Sequence, residues 1–390
     1  MQNKRLSYRV LGLLLSVIML CGMMAACSSN APSGGGTPGT SSGGGTTGGG
    51  GTTGGGGTTG GGSTGGGGGL TTTGQSWKLN ATIHDPPQSV KTIFLETYSD
   101  RIREVTEGQV DITVFPSATL VPAVGALEAV VNNAVDVAWC FSTFFPGQFP
   151  LCEVVAQPLL GVKSCMQTTN TLWDLWDKYD AMKQELSPYK VLHLYTNPPN
   201  HLSFASKEVN SLDTLKGLKL RAPAGPITEI LNLWGAQPIL MGPPDVFESL
   251  EKGVIDGYAF EYSGLTDFKL EEITSYYMDM DIYAGPFLLL MNKQVWEGFP
   301  QDIKDAIDSI SGRDCSIEMA EIFQSDFDKK KETVLARSNA NLVSVSAADY
   351  ARFEEIAMQY NDEWVQRTSS AGFDAQAYLD DAISLLNKYA

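Results

Sequence analysis

One arginine stands where a carboxylate-binding group would be useful. Arg221 ends the segment Leu218–Arg221, in which leucines alternate with cations, and a loop with Pro223 and Gly225 follows. A guanidinium at the carboxyl end of a strand can point into a crevice, where its planar fork suits a carboxylate. Taken alone, these residues also allow the alternative that Arg221 forms an ordinary surface salt bridge.

The residue patterns of common enzymes are missing from the sequence. The histidines are His84, His193 and His201, and no G-x-S-x-G, H-E-x-x-H or phosphate-binding loop occurs. His84 and Asp85 are neighbours in an extended segment, so their side chains point to opposite sides and do not form a dyad directly. No Cys/His spacing suits zinc. We therefore expect a protein that is not an enzyme, with no cofactor and no metal.

Aromatic residues gather where strands are predicted to end. They are Trp139, Phe141, Phe144, Tyr258, Phe260 and Tyr262. With the period of two along a strand, Trp139 shares a face with Phe141, and Tyr258 with Phe260. Aromatic walls around a crevice favour a ligand with an apolar body and a polar tip. The alternative is that some of these rings fill the cores.

The charge balance excludes one class of partner. The chain has 27 Lys and Arg against 44 Asp and Glu, a net charge of −17. Three of the cations lie in residues 1–26, which leaves 24 against 44, or −20, for the rest. Nucleic acid is therefore excluded as a partner, because neutralising phosphates needs a basic face.

The N-terminus reads as an export signal. Basic residues up to Arg9 precede the apolar run Val10–Met24, and Ala25 and Ala26 then precede Cys27. This order resembles a lipobox, which implies cleavage before Cys27 and acylation of its thiol. The alternative is a secretory signal cut after Ala26 that leaves Cys27 free.

Residues 31–74 consist almost entirely of Gly, Thr and Ser. Such a segment has no apolar run to bury, so we interpret it as a flexible tether with a span of roughly 35–40 Å. Residues 27–74 would then hold the body near a lipid bilayer through acylated Cys27, on the outer face of the cell membrane.

Four cysteines lie in the body. Cys152 and Cys165 are close enough in sequence to pair in an oxidising compartment, whereas the alternative is buried free thiols.

Alternating strands and helices must position Arg221 and the aromatic residues. In the first half, strands at Trp77–Ile83, Val110–Phe115 and Val135–Phe141 are separated by helical patterns, and Gln167–Leu186 reads as one further helix. This order predicts a largely parallel sheet with crossover helices. A second alternation starts near His201, and the apolar run at residues 287–291 reads as a buried strand returning to the first sheet.

The two halves also resemble each other. Leu127–Asp136 and Leu250–Asp256 each combine a helix end, a turn at Asn133 or Gly253, and a strand opening with an apolar residue and Asp. Chance similarity is the alternative. Two similar α/β lobes would enclose a crevice at the carboxyl ends of their strands. Beyond Pro300 an apolar stripe predicts one helix over about 301–337, near 55 Å long, which would span both lobes.

Three segments resemble the substrate-binding subunits of TRAP transporters (tripartite ATP-independent periplasmic transporters). Leu215–Pro223 is similar to their "LKGLKIRxP", Gly235–Met241 to "GAxPVPM", and Glu251–Gly257 to "QxGVVDG". The segments follow the family's order and spacing, and a looser likeness covers about 80–370.

The resemblance implies an α/β, two-lobed periplasmic-binding-protein-like fold with a hinge and a long C-terminal helix bridging both lobes. Its boundaries would be residues 75–198 with about 287–326 for lobe I, and 199–286 with about 327–390 for lobe II, after a signal peptide at 1–26 and the tether at 27–74. It further implies closure on a small organic acid and delivery to TRAP membrane permease subunits.

The resemblance also assigns site residues. Arg221 matches the family's carboxylate anchor. The other expected ligand-binding residues are His84, Trp139, Phe141, Phe144, Tyr258, Phe260 and Glu261. Many members have Glu-Asn-Pro near Ala259–Glu261, and this departure argues against a highly polar ligand.

Two other functions remain open from the sequence. The chain could serve an ATP-driven importer or a sensor rather than a TRAP permease. It could also be a secreted enzyme on the same fold, against which the missing nucleophile and base count.

Overall fold

The computed structural model describes residues 70, 74–369 and 372–390. The predicted signal peptide, the acylation of Cys27 and nearly all of the tether lie outside the described residues. Within the described ranges, no helix has both the length and the apolar character needed to cross a bilayer.

The chain forms two sheets flanked by helices. The strands are β1 (Trp77–Thr82), β2 (Val110–Phe115), β3 (Val137–Phe141), β4 (Tyr189–Thr196), β5 (His201–Phe204), β6 (Lys219–Ala222), β7 (Gln237–Leu240), β8 (Gly257–Phe260), β9 (Tyr276–Asp279), β10 (Pro286–Asn292) and β11 (Asn341–Ser344). The helices are α1 (Val90–Val105), α2 (Ala126–Val131), α3 (Cys165–Lys178), α4 (Asp180–Glu185), α5 (Leu212–Leu215), α6 (Pro226–Leu233), α7 (Val246–Glu251), α8 (Tyr262–Asp267), α9 (Lys293–Glu297), α10 (Gln301–Asp308), α11 (Arg313–Leu335), α12 (Ala347–Thr368) and α13 (Ala375–Lys388).

The first sheet, with its helices, is lobe I. Its strand order is β2-β1-β3-β10-β4, with β1 parallel to both β2 and β3. The predicted returning strand is confirmed, because β10 runs antiparallel between β3 and β4 and every residue in it is buried. A strand that pairs with segments far away in the sequence can be predicted when, as here, it is apolar on both faces.

The second sheet, with its helices, is lobe II. Its strand order is β11-β9-β5-β8-β6-β7. Strands β9 and β11 escaped the sequence analysis, because burial does not alternate along either strand and β11 buries only Val343. Without alternating apolar and polar residues, so short a strand is not recognised.

The similarity between the halves extends to hydrogen bonds. Asn133 and Gly253 both have a positive φ, of 55° and 69°, just after α2 and α7. The next acid then binds the neighbouring strand: the Asp136 carboxylate accepts from the Asn80 amide at 2.8 Å, and that of Asp256 from the Lys219 amide at 2.9 Å. The two units therefore place β3 and β8 in the same way, and both strands end at one cavity.

Two chain segments cross side by side between the lobes. Asn197 and Asn200 follow β4, and Tyr283 and Gly285 precede β10. The Asn200 amide donates to the Tyr283 carbonyl at 2.8 Å, and the Gly285 amide donates to the Asn197 side chain at 2.6 Å. A Cβ on Gly285 would lie 2.2 Å from the Phe141 ring, so only glycine allows this crossing segment to pack against that ring.

A long helix bridges the lobes, but its start differs from the prediction. The helical stripe is interrupted at residues 309–312, where Gly312 has φ 79°, so α10 and α11 are separate helices. Helix α11 alone, about 35 Å long, packs Met319 and Phe323 in the core of lobe I and Phe327 in that of lobe II. The predicted helix at Gln167–Leu186 is likewise divided, between α3 and α4.

The C-terminal helix lies elsewhere than the sequence suggested. The resemblance implies that about 327–390 belongs to lobe II, and α12 does pack there through Phe353 and Tyr360. Helix α13, however, buries Tyr378 and Leu379 in the core of lobe I. The apolar stripe of an amphipathic helix shows that one face of the helix is buried. It does not show which of the two sheets covers that face.

The four cysteines of the body are buried free thiols. Cys165 donates to the Thr196 carbonyl at 2.6 Å.

Candidate functional site

A small cavity lies between the carboxyl ends of strands from both lobes. Lobe I contributes His84, Asp85, Lys91, Phe141, Phe144 and Phe287. Lobe II contributes Arg221, Pro223, Pro243, Phe260, Glu261 and Phe268. Asn197, Asn200 and Tyr283 enter from the crossing segments. The free space is about 30 Å³, which suits a water molecule or two. An organic acid therefore needs the lobes to part or the rings to move.

Arg221 is fixed by backbone carbonyls. It is the third residue of β6, and only 3% of its surface is exposed. Its Nε donates to the Met241 carbonyl at 3.0 Å and its Nη1 to the Ala259 carbonyl at 3.1 Å. Its Cζ lies 4.5 Å from the centroid of the Phe260 ring. The guanidinium is thus held rigidly while donors remain for a ligand.

The charge of Arg221 is uncompensated. In the part of the chain that the structure describes, no carboxylate forms an ion pair with it. Burial lowers the pKa of Arg221 to about 10, so the group stays cationic at neutral pH. A buried cation without a counter-ion is costly, and an anion in the cavity would relieve that cost.

His84 forms part of the apolar wall. Its ring meets that of Phe144 edge-on at 5.6 Å. Burial lowers the pKa of His84, Asp85 raises it, and Lys91 and Arg221 lower it further. The imidazole is therefore neutral at pH 7. Its Nε2 lies 3.5 Å from the Asp85 carboxylate, so the expectation that these two side chains point to opposite sides was wrong.

The aromatic wall is continuous on the lobe I side. Phe141 stacks on Phe287 at 4.6 Å and meets Phe144 edge-on at 5.4 Å. Phe260 faces them from lobe II, next to Arg221. The arrangement places an apolar surface in the same cavity as the unpaired Arg221 guanidinium.

Glu261 lines the cavity, but its carboxylate already accepts hydrogen bonds from the protein backbone. Its carboxylate accepts from the Ser263 amide at 2.5 Å and the Gly264 amide at 2.6 Å, which caps α8. Burial raises the pKa of Glu261 to about 7. Its first role is therefore to position the loop after β8.

Two predicted residues do not reach the cavity. Trp139 is buried in the core of lobe I against Tyr195 and Phe287. Tyr258 is buried in lobe II, where its hydroxyl pairs with Thr274 at 2.8 Å. Each ring lies two residues before the cavity-lining residue of its strand, Phe141 or Phe260. The period of two therefore predicts which face of the strand the rings share, but not how far along the strand the cavity extends.

A buried ion network escaped the sequence analysis. The Lys91 ammonium lies 3.0 Å from Asp85 and 3.4 Å from Asp267, and Lys330 lies 2.7 Å from Asp267. Burial alone would lower the pKa of Lys91, but the two carboxylates reverse this and raise it. The network joins lobe I, lobe II and α11. One signal was available: a lysine in the first turn of a helix opposes the helix dipole.

The crossing segments add polar groups that the sequence analysis also missed. Asn197, Asn200 and Tyr283 are each less than 5% exposed and line the cavity. Together with Arg221 they add hydrogen-bonding groups to a cavity that is lined partly by aromatic rings and partly by the polar or charged His84, Asp85, Lys91 and Glu261.

Known proteins share this architecture. The family model for bacterial extracellular solute-binding protein, family 7, matches residues 81–368. A relative described as the outer membrane transporter protein TsaT of Comamonas testosteroni is 24% identical over 300 residues, covering 76% of this chain and 87% of its own length.

Two solved structures illustrate the range of ligands on this fold. A TRAP solute-binding protein from Rhodoferax ferrireducens, in complex with copurified benzoate, is 25% identical with a TM-score of 0.74, covering 80% of this chain and 98% of its own. A TRAP periplasmic solute-binding protein from Chromohalobacter salexigens, with bound D-glucuronate, is 22% identical with a TM-score of 0.70, covering 80% of this chain and all of its own.

Proposed function

The chain belongs to the bacterial extracellular solute-binding proteins of family 7, and from that premise we propose that it captures a monocarboxylate with an apolar or aromatic body. The ligand binds between the lobes and is delivered to a TRAP-type permease. Branched 2-oxo acids and aromatic acids are the expected classes.

The observation that carries this proposal is the environment of Arg221. Its guanidinium is buried, tied to two carbonyls, stacked on Phe260 and free of any carboxylate partner among the described residues. A ligand carboxylate would supply the missing counter-ion and accept the remaining N–H groups.

The rings opposite Arg221 support the apolar body. Phe141, Phe144 and Phe287 offer carbon surface and few hydrogen-bonding groups. Hydroxyl groups of a sugar acid that face these rings would lose their water without gaining partners there. Because the fold itself admits both benzoate and glucuronate, the choice rests on these side chains.

We also propose that the protein is anchored through acylated Cys27 on the outer face of the cell membrane. The order of basic residues, apolar run, Ala-Ala and cysteine supports it, and the Gly-rich tether gives the body reach from the bilayer.

Mass spectrometry of ligand carried through purification, followed by calorimetry, tests the ligand class. We expect benzoate or a branched 2-oxo acid to bind with a Kd of about 1 μM or tighter, and glucuronate at least about a hundredfold more weakly. Tight binding of glucuronate with no response to apolar acids would refute the ligand class. No binding of any carboxylate would refute the function.

A further inference from the structure

A second groove, larger than the cavity around Arg221, lies where both lobes and α12 meet. Its volume is about 570 Å³. Lobe I supplies Glu153 and Glu185, lobe II supplies Gly225 and Glu229, and α12 supplies Trp364 and Arg367. We call it the acidic groove, and neither the family resemblance nor the cavity described above uses it.

Glu153 is a buried carboxyl group with one oxygen that lacks a hydrogen-bond partner. Only 5% of its surface is exposed, it is one of the residues that line the groove, and within the described residues its buried Oε1 has no hydrogen-bond partner. Burial and the neighbouring Glu185 raise its pKa to about 8, which the Ser142 hydroxyl partly opposes. An incoming cation would stabilise the ionised form of Glu153 and displace the proton.

Glu185 holds the segment that carries Glu153. Its carboxylate accepts from the Leu151 amide at 2.8 Å and the Cys152 amide at 3.0 Å, at the start of the turn Cys152–Ala156. Burial raises the pKa of Glu185 to about 7. Two carboxyl groups are thus fixed in one wall, and among the described residues neither forms an ion pair with a cation.

An arginine of the chain itself already lies in the groove. The Arg367 guanidinium lies with its Cζ 5.2 Å from the centroid of the Tyr360 ring and its Nη1 3.2 Å from Glu229. A carboxylate beside an aromatic ring is a favourable environment for guanidinium. Glu153, with Trp364 in the same groove, repeats these residue types without the cation.

We propose that the acidic groove is a binding site for an alkylguanidinium group, with the Glu153 carboxylate as its counter-ion and Trp364 in its apolar wall. Its source is either a small guanidine or an arginine side chain of a partner protein. The site does not depend on the ligand proposed for the cavity at Arg221.

Calorimetry with butylguanidinium tests the site. The purified protein is first saturated with benzoate, so that binding at the Arg221 cavity does not contribute to the measured heat. We expect a Kd of about 1 mM or tighter, and Glu153→Gln should weaken binding at least about tenfold by removing the counter-ion. Glu248→Gln, which removes an exposed carboxylate outside the groove, should leave binding unchanged. Binding that is absent, or equal in wild type and Glu153→Gln, overturns the proposal.

A second variant keeps the test decisive if Glu153→Gln does not fold. Arg367→Gln removes the internal guanidinium that competes for the groove, so it should bind butylguanidinium at least as tightly as wild type. Weaker binding by this variant contradicts the proposal.

A peptide arm separates the two sources. An arginine tripeptide that binds, while its uncharged citrulline counterpart does not, assigns the site to a partner's side chain. Binding of butylguanidinium with neither peptide assigns it to a small guanidine.

Discussion

Arg221 shows how one side chain can be prepared for an anion before the anion arrives. Two backbone carbonyls and the Phe260 ring hold its fork, and the cost of burying its charge is already part of the folded state. A ligand carboxylate then meets donors that need little reorganisation.

We predict that Arg221→Ala weakens carboxylate binding at least about a hundredfold, or roughly 2.7 kcal/mol. Arg221→Lys should recover only part of the loss, since an ammonium is a point charge and cannot replace the planar fork. Isothermal titration calorimetry measures both.

Arg352→Ala is the matched control, because Arg352 pairs with Asp213 on the surface. It should bind like wild type. If a folded Arg221→Ala protein binds within about threefold of wild type, a change of less than 1 kcal/mol, Arg221 is not the anchor.

Site residues could be predicted from the sequence where their position follows from the local order of strands and loops. Arg221, Phe141 and Phe260 were recognisable because each sits at or next to the end of a strand. Lys91 and Asp267 were not, because they are 176 residues apart and meet only when the lobes do. Nothing local marks such a pair beyond the awkward place of Lys91 in its helix.

Among the elements, α8 depends on a carboxylate with a perturbed pKa. Glu261 caps its first turn, and burial raises the Glu261 pKa from the ordinary 4.5 to about 7. Between these values the folded protein keeps a proton that the unfolded chain has released. This contribution to stability is therefore full below about pH 4.5 and lost as the pH rises through about 7.

We predict that Glu261→Gln removes this pH dependence. Relative to the variant, wild type should lose about 3 kcal/mol of unfolding free energy between pH 4.5 and 7.5, measured by urea titration at several pH values. Glu153 and Glu185 titrate in both proteins and cancel in the difference. Parallel stability curves would contradict the prediction.

Lys91 makes α1 and α8 depend on each other. We predict that Lys91→Met destabilises the protein by about 3–5 kcal/mol, because Asp85 and Asp267 are left buried without a cation. Chemical denaturation measures the change. Lys252→Met, which removes the cation of the exposed pair with Glu248, should leave the free energy of unfolding nearly unchanged, and equal losses in the two variants would mean that the buried network is not stabilising.

The elements themselves were predictable in proportion to their length and pattern. Strand β2 has a clear alternation and strand β10 is continuously apolar, and the predicted ranges 110–115 and 287–291 agree with the structure to within a residue at each end. The break at Gly312 was not readable, since apolar residues continue in register across it. The docking of α13 on lobe I depends on a surface that no local pattern describes.

For the whole molecule, the proposed attachment of the body to the membrane depends on one residue, Cys27. We predict that Cys27→Ser releases the protein from the membrane fraction into the soluble fraction, because no acyl chain can be added. Fractionation with a high-salt wash and immunoblotting measures this. An Asn30→Ser variant, changed just beyond the cysteine, should stay with the membrane, and retention of Cys27→Ser would contradict the lipobox interpretation.

The paired crossings between the lobes also bear on how such proteins diversify. Lobe I is assembled from residues before Asn197, from β10 and the first half of α11, and again from α13, whereas lobe II takes the stretches between. A single recombination event between two related genes would therefore mix parts of both lobes and break their cores. New ligand preferences in this architecture should accordingly arise by point substitution around the cavity rather than by exchange of a lobe.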